Sequence, residues 1–114
     1  MTNCLFCKIA AGQIPSKKAY EDANAYAFHD INPQAPTHIL IIPKQHIGSI
    51  NDVTDAHEGV LGHLFTVARG LAQDQGLADD GYRLVVNTGA NAGQTVFHIH
   101  MHLIGGRGMG WPPG

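Results

Sequence analysis

His98-Ile99-His100-Met101-His102-Leu103-Ile104 alternates imidazole with apolar side chains along its whole length. Side chains on a β-strand repeat every two residues, so His98, His100 and His102 project from one face. Ile99, Met101 and Leu103 project from the other, where they can pack under a helix. The strand reads from Phe97 to Ile104 and ends at Gly105-Gly106. A lone histidine on a strand is usually structural, but three in strict alternation beside a glycine-rich loop point to chemistry.

The other elements follow from periodicity and breakers. His38-Ile39-Leu40-Ile41-Ile42 reads as a buried central strand ended by Pro43. Shorter strands are expected at Ala19 to Glu21, Asn24 to His29 and Tyr82 to Asn87. Leu5 to Ala11 reads as a short helix, stopped by Gly12 and the Ile14-Pro15 step. One long helix is capped by Asn51, Asp52 or Thr54 and stopped near Gly76. Its apolar face is Val60, Leu61, Leu64, Phe65, Ala68, Leu71 and Ala72. Asn32-Pro33-Gln34-Ala35-Pro36 is a rigid loop, and Thr88 to Gly93 is rich in turn residues. With strands outnumbering helices, this is an α+β domain: a mainly antiparallel sheet with a helix on one face. No linker or repeat divides residues 1–114, which read as a single domain. Gly59, Gly62 and Gly70 on the helix suggest a partner subunit that completes the core.

Composition narrows the function. The 114 residues include eight histidines, and the formal charge of −2 leaves no electrostatic footprint for nucleic acid or an anionic membrane. With seven scattered Lys and Arg, a nucleotide has to be held by a local site. No stretch resembles a signal peptide or a membrane span, so the cytoplasm is the expected compartment. There Cys4 and Cys7 would be thiols or metal ligands rather than a disulfide.

Two chemistries suit the histidine row. Imidazoles two apart on a strand can converge on a catalytic zinc that activates water. Alternatively, one histidine attacks covalently while its neighbours bind oxygens and manage protons. Asn87, Gly89, Gly93, Gln94 and Thr95 favour the second, bringing amides and neutral polar groups suited to phosphate oxygens. The lack of a nearby Glu as general base weakens the first. A third reading is a nucleotide-binding regulatory module with vestigial hydrolysis.

Gln94-Thr95-Val96-Phe97-His98-Ile99-His100-Met101-His102-Leu103-Ile104 resembles the signature of the histidine-triad (HIT) family. Phe28-His29-Asp30-Ile31, Pro36-Thr37-His38 through Ile42-Pro43-Lys44, Gly105-Gly106-Arg107 and Trp111-Pro112-Pro113-Gly114 resemble its Hint-like branch, and the last two segments point away from the Fhit branch. The resemblance implies a HIT-like fold: a five-stranded, mainly antiparallel sheet with one long and one short helix, continued across a homodimer. It further implies a hydrolase of purine nucleoside 5'-phosphoramidates, of the AMP-amine type, with some activity on aminoacyl-adenylates.

Residue roles follow from the same resemblance. His100 would attack the α-phosphorus, and a backbone carbonyl on the next strand segment could fix its tautomer. His102 would contact phosphate and help protonate the leaving group, with His38 hydrogen-bonded behind the triad. Asn87 and Thr95, with Gln94 beside them, match positions at the phosphate or leaving group. Asp30 matches the residue that holds ribose hydroxyls, supported by His29. Leu5, Phe6, Ile9, Ile31 and Leu40 match the apolar slot around the purine, although Ile9 and Leu40 read equally as ordinary core. Trp111 would reach toward the other subunit's site, or simply anchor the tail. No cofactor is required for catalysis.

Cys4-x-x-Cys7 has the spacing of half a zinc site, or is two free thiols. Family members with such a pair complete a structural, optional zinc site with two histidines, which here would be His46 and His98. If zinc binds, His98 is a ligand and not a proton donor.

Overall fold

The computed structural model describes residues 3–114. Its elements are α1 Leu5–Ala10, β1 Lys18–Glu21, β2 Ala25–His29, β3 Thr37–Pro43, α2 Glu58–Asp74, β4 Tyr82–Val85 and β5 Met101–Gly105. Short 3-10 turns at Ile50–Asp52 and Asp55–His57 lead into α2, and a third lies at Ala90–Ala92. The five strands form one sheet in the order β1-β2-β3-β5-β4, with every pair antiparallel. β3 is central because it is apolar toward both faces, and every residue after Thr37 is buried.

The pleat sorts side chains into two cores. Ile39 and Ile41 face α2, joining Ala25, Ala27, Met101 and Leu103 against Leu64, Val67, Ala68 and Leu71. Leu40 and Ile42 face α1, joining Tyr26 and Phe28 against Phe6 and Ile9. His38 is in phase with Leu40, and Leu40 is paired with His102, so both histidines belong to the α1 side. Met101 and Leu103 pack under the long helix as the alternation predicts.

Three expectations need correction. The last strand begins at Met101, not Phe97: the Ile99 amide bonds the Ile47 carbonyl at 2.6 Å instead of extending the ladder, and Val96–His98 bends. Likewise β4 stops at Val85, short of Asn87. On α2 the buried stripe includes Val67, whereas Phe65, one residue round the helix from Leu64, is 57% exposed. A Cβ added at Gly59, Gly62 or Gly70 would meet nothing, so these glycines face open space. Among the described residues no helix is long and apolar enough to cross a membrane.

Candidate active site

The bend before β5 splits the histidine row between two clusters. His98 and His100 both lie edge-to-face on Phe6 of α1, with ring centroids 6.1 and 5.0 Å away, and His100 stands 5.0 Å from His102. All three therefore sit on the α1 side, as alternation predicts, but their ring nitrogens serve different partners.

Backbone partners assign the tautomers, since a neutral imidazole has one donor and one acceptor nitrogen. The Gln34 amide donates to His38 Nδ1 at 3.0 Å, so the His38 hydrogen is on Nε2. That Nε2–H faces His102 Nδ1 at 2.9 Å, which places the His102 hydrogen on its own Nε2. His102 Nε2 is buried with no hydrogen-bond partner among the described residues. His100 Nδ1–H donates to the His98 carbonyl at 2.8 Å, leaving Nε2 of His100 with its lone pair free. The carbonyl that orients His100 is thus two residues back on its own segment, where a carbonyl of the next segment was expected. The bend makes this possible, because a strand would have committed the His98 carbonyl to a ladder.

Burial sets the charge state of this network. It pushes His102 down to about 4, helped by the neighbouring His100 and His38 and opposed by Asp30. Burial also pulls His38 below its usual range, against the opposing pull of Asp30. Both rings are neutral near pH 7. Asp30 closes the network: Oδ2 is 3.4 Å from His38 Nε2, and Oδ1 accepts the Asn32 amide.

The second cluster gathers Cys4, Cys7, His46 and His98, whose donor atoms lie within 4.8 Å of one another. Cys4 caps α1 by accepting the Cys7 amide at 3.2 Å. His98 Nδ1 is 3.3 Å from Cys4 Sγ and 3.4 Å from Cys7 Sγ, and His46 Nδ1 is 3.4 Å from Cys7 Sγ. His98 Nε2–H donates to the Pro43 carbonyl at 2.8 Å, which leaves Nδ1 as a lone pair aimed at the sulfurs. Burial, reinforced by Cys4, raises the Cys7 thiol above its ordinary value, and a nearby cation would reverse this. The four residues fit a divalent metal: two sulfurs, two imidazoles, and a ligand histidine oriented by a backbone carbonyl. His98, His100 and His102 do not form such a group: both nitrogens of His98 are taken by the cysteines and the Pro43 carbonyl, Nδ1 of His100 by the His98 carbonyl, and Nδ1 of His102 by His38. This corrects the reading of the row as a catalytic metal site.

The remaining candidates are dispersed. Leu5 and Thr95 line an open cavity of about 500 Å³ with Asn3, Cys4, His46, Val96 and Phe97. Asn87 is half-buried two residues beyond Val85, the partner of His102 in the ladder. Gln94, expected at the phosphate, is buried and spent on the loop: Oε1 accepts the Gly89 amide while Nε2 donates to the Gly48 and Val96 carbonyls. His29 is in phase with Ala25 and Ala27, so it points to the α2 side, away from Asp30's network. Phe6, Ile9 and Leu40 are buried core, whereas Leu5 is 45% and Ile31 fully exposed. Trp111 is 84% exposed. Composition and spacing missed three participants, the Gln34 amide and the Pro43 and His98 carbonyls, because backbone groups carry no residue signal.

Known proteins resemble this chain in sequence and in fold. Residues 11–109 match the HIT domain family. A purine nucleoside phosphoramidase of Escherichia coli (strain K12) is 54% identical over 106 residues, 93% of this chain and 89% of that protein. A 14 kDa zinc-binding protein of Zea mays is 52% identical over 112 residues, 96% of this chain and 87% of that one. The crystal structure of a HIT family hydrolase from Legionella pneumophila Philadelphia 1 superposes with a TM-score of 0.97 at 58% identity, covering 98% of this chain and 100% of that one. With the histidine network, the sheet and these likenesses in agreement, the chain belongs to the HIT domain family and is a hydrolase.

Proposed function

We propose that this hydrolase cleaves the P–N bond of purine nucleoside 5'-phosphoramidates through a covalent intermediate on His100. The observation that carries the reading is the His100 ring: Nδ1 is tied to the His98 carbonyl, and Nε2 is free beside the unpartnered Nε2–H of His102. A neutral imidazole so held is a ready nucleophile. Its Nε2 attacks the α-phosphorus and the P–N bond to the amine breaks. The departing nitrogen takes its proton from solvent, and the neutral His102 Nε2–H is placed to hydrogen-bond the reacting phosphoryl group or the leaving nitrogen as charge develops there. Water then attacks the phosphorus of the nucleotidyl-histidine, releasing the nucleoside monophosphate and restoring His100. The free lone pairs of Asp30 suit ribose hydroxyls, and Asn87 and Thr95 suit phosphate or the leaving group. The purine specificity is that of the phosphoramidase from Escherichia coli.

Zinc at Cys4, Cys7, His46 and His98 is proposed as structural. When bound it would cross-link α1 to the segments around His46 and His98, and no catalytic step needs it. A homodimer is proposed in which the β4 edges join the two sheets and Trp111 approaches the partner's site. The support is that β4 has a neighbour on one side only, and that Phe65 and Trp111 are exposed.

Adenosine 5'-phosphoramidate, with AMP release followed in wild type and His100→Ala, tests the reading. Turnover that survives a chelator and falls by several orders of magnitude in the variant is expected. Undiminished turnover in His100→Ala would refute the covalent step.

A further inference from the structure

Gly105-Gly106-Arg107 is separated from the last histidine by Leu103-Ile104, and the reaction above gives it no task. Each of its residues makes a specific contact. A Cβ at Gly105 would lie 2.7 Å from Leu77 Cδ1, and one at Gly106 2.9 Å from Pro36 Cβ. Gly106 also has φ +93°, which glycine alone adopts without strain. The two glycines therefore let the chain run against Leu77 and against the Pro33–Pro36 loop. Arg107 then grips that loop: Nε–H donates to the Gln34 carbonyl at 3.0 Å, while Nη1 donates to the Gly108 carbonyl at 3.1 Å.

Gln34 is the residue whose amide holds His38. Its carbonyl and amide flank a single Cα, and prolines at 33 and 36 stiffen the loop on either side. A grip on the carbonyl thus orients the amide. The bonds are continuous: Arg107 Nε–H to the Gln34 carbonyl, Gln34 N–H to His38 Nδ1, and His38 Nε2–H to His102 Nδ1. They end at His102 Nε2, the buried donor without a partner.

We propose that Arg107 is a positioning residue: by holding Gln34 against His38 it keeps the hydrogen of His102 on Nε2, facing the reacting phosphate. The consequence for turnover rests on the phosphoramidase reading; the tautomer itself does not. Without the Gln34 donor, His38 can carry its hydrogen on Nδ1. His38 Nε2 then accepts from His102 Nδ1, and His102 turns a bare lone pair toward the phosphate. Asp30 Oδ2 also faces His38 Nε2 and favours the original tautomer, so the loss is partial. The competing role for an arginine in a nucleotide hydrolase is a phosphate clamp, and the two differ in kinetics. Losing a clamp weakens substrate binding, whereas losing the relay slows the chemical step.

The test is Arg107→Ala with Arg83→Ala as control. Arg83 also bonds the C-terminal segment, donating from Nη2 to the Gly110 carbonyl at 2.9 Å, but is no part of the relay. Arg107→Ala is expected to lower kcat on the order of tenfold, part of what one transition-state hydrogen bond supplies, with KM within about twofold. Nitrogen-15 spectra of the imidazoles are expected to show His38 and His102 as Nε2–H tautomers in wild type and Arg83→Ala, and as mixtures in Arg107→Ala. A raised KM at unchanged kcat, unchanged spectra in Arg107→Ala, or equal effects from Arg83→Ala would each overturn the proposal. If wild type turned over no phosphoramidate, the function proposed above would fail, and the spectra would still decide the role of Arg107.

Discussion

His102 holds a buried N–H that bonds nothing among the described residues, and a buried donor without a partner costs about 1–3 kcal/mol. A substrate oxygen or nitrogen in that position would remove the penalty, so part of the cost becomes affinity for the reacting group. The same burial links stability to pH. Unfolded, His102 titrates near 6.5; folded, it is held down to about 4. Between these values the unfolded chain binds the extra proton, so stability is full above about pH 7 and falls as the pH drops toward 4. His38 is shifted in the same direction and adds to the loss. Urea denaturation from pH 7 to 4 should show this decline, and His102→Asn should make it shallower. An identical decline in the variant would remove His102 as a source.

At the scale of the element, α1 has six residues and is too short to persist on its own. Phe6 and Ile9 anchor it from the sheet side, and the cysteines tie it toward His46 and His98. With zinc bound, a chelator is expected to lower the melting temperature of wild type by several degrees, since about 1 kcal/mol moves a domain of this size by roughly 4–8 °C. A Cys4→Ser, Cys7→Ser double variant should not respond; an equal response would place the metal elsewhere. Element by element, the sequence was legible where a period repeats. Ile39 to Ile42 are buried as their apolar run predicts, and Leu64, Ala68, Leu71 and Ala72 lie on the buried face of the helix, although Phe65 does not. Alternation misled at residues 97–100, where the histidines keep the period but the chain leaves the ladder to bond Ile47. Polar side chains were harder still. Gln94 has the composition of a phosphate ligand, yet three backbone groups use it fully. Cys4, Cys7, His46 and His98 were named together through family likeness, and spacing by itself suggested only half a site.

The whole molecule leaves β4 as a short edge strand with one side unpaired, a template for another strand. Sedimentation equilibrium is expected to give two chains per particle, and a monomer at micromolar concentration would exclude the joined sheet. The sheet also divides the molecule into two cores with unequal duties. Behind α2, Leu64, Val67, Ala68 and Leu71 belong to an apolar cluster that contains none of the triad histidines, and a volume-conserving swap there is expected to cost stability alone. Behind α1, Phe6 packs on Phe28 and also touches the rings of His98 and His100, so a swap there displaces chemistry along with packing. Descendants of this chain can vary the interior on one side of the sheet within the limits of packing, while the other interior evolves under the constraints of an active site as well.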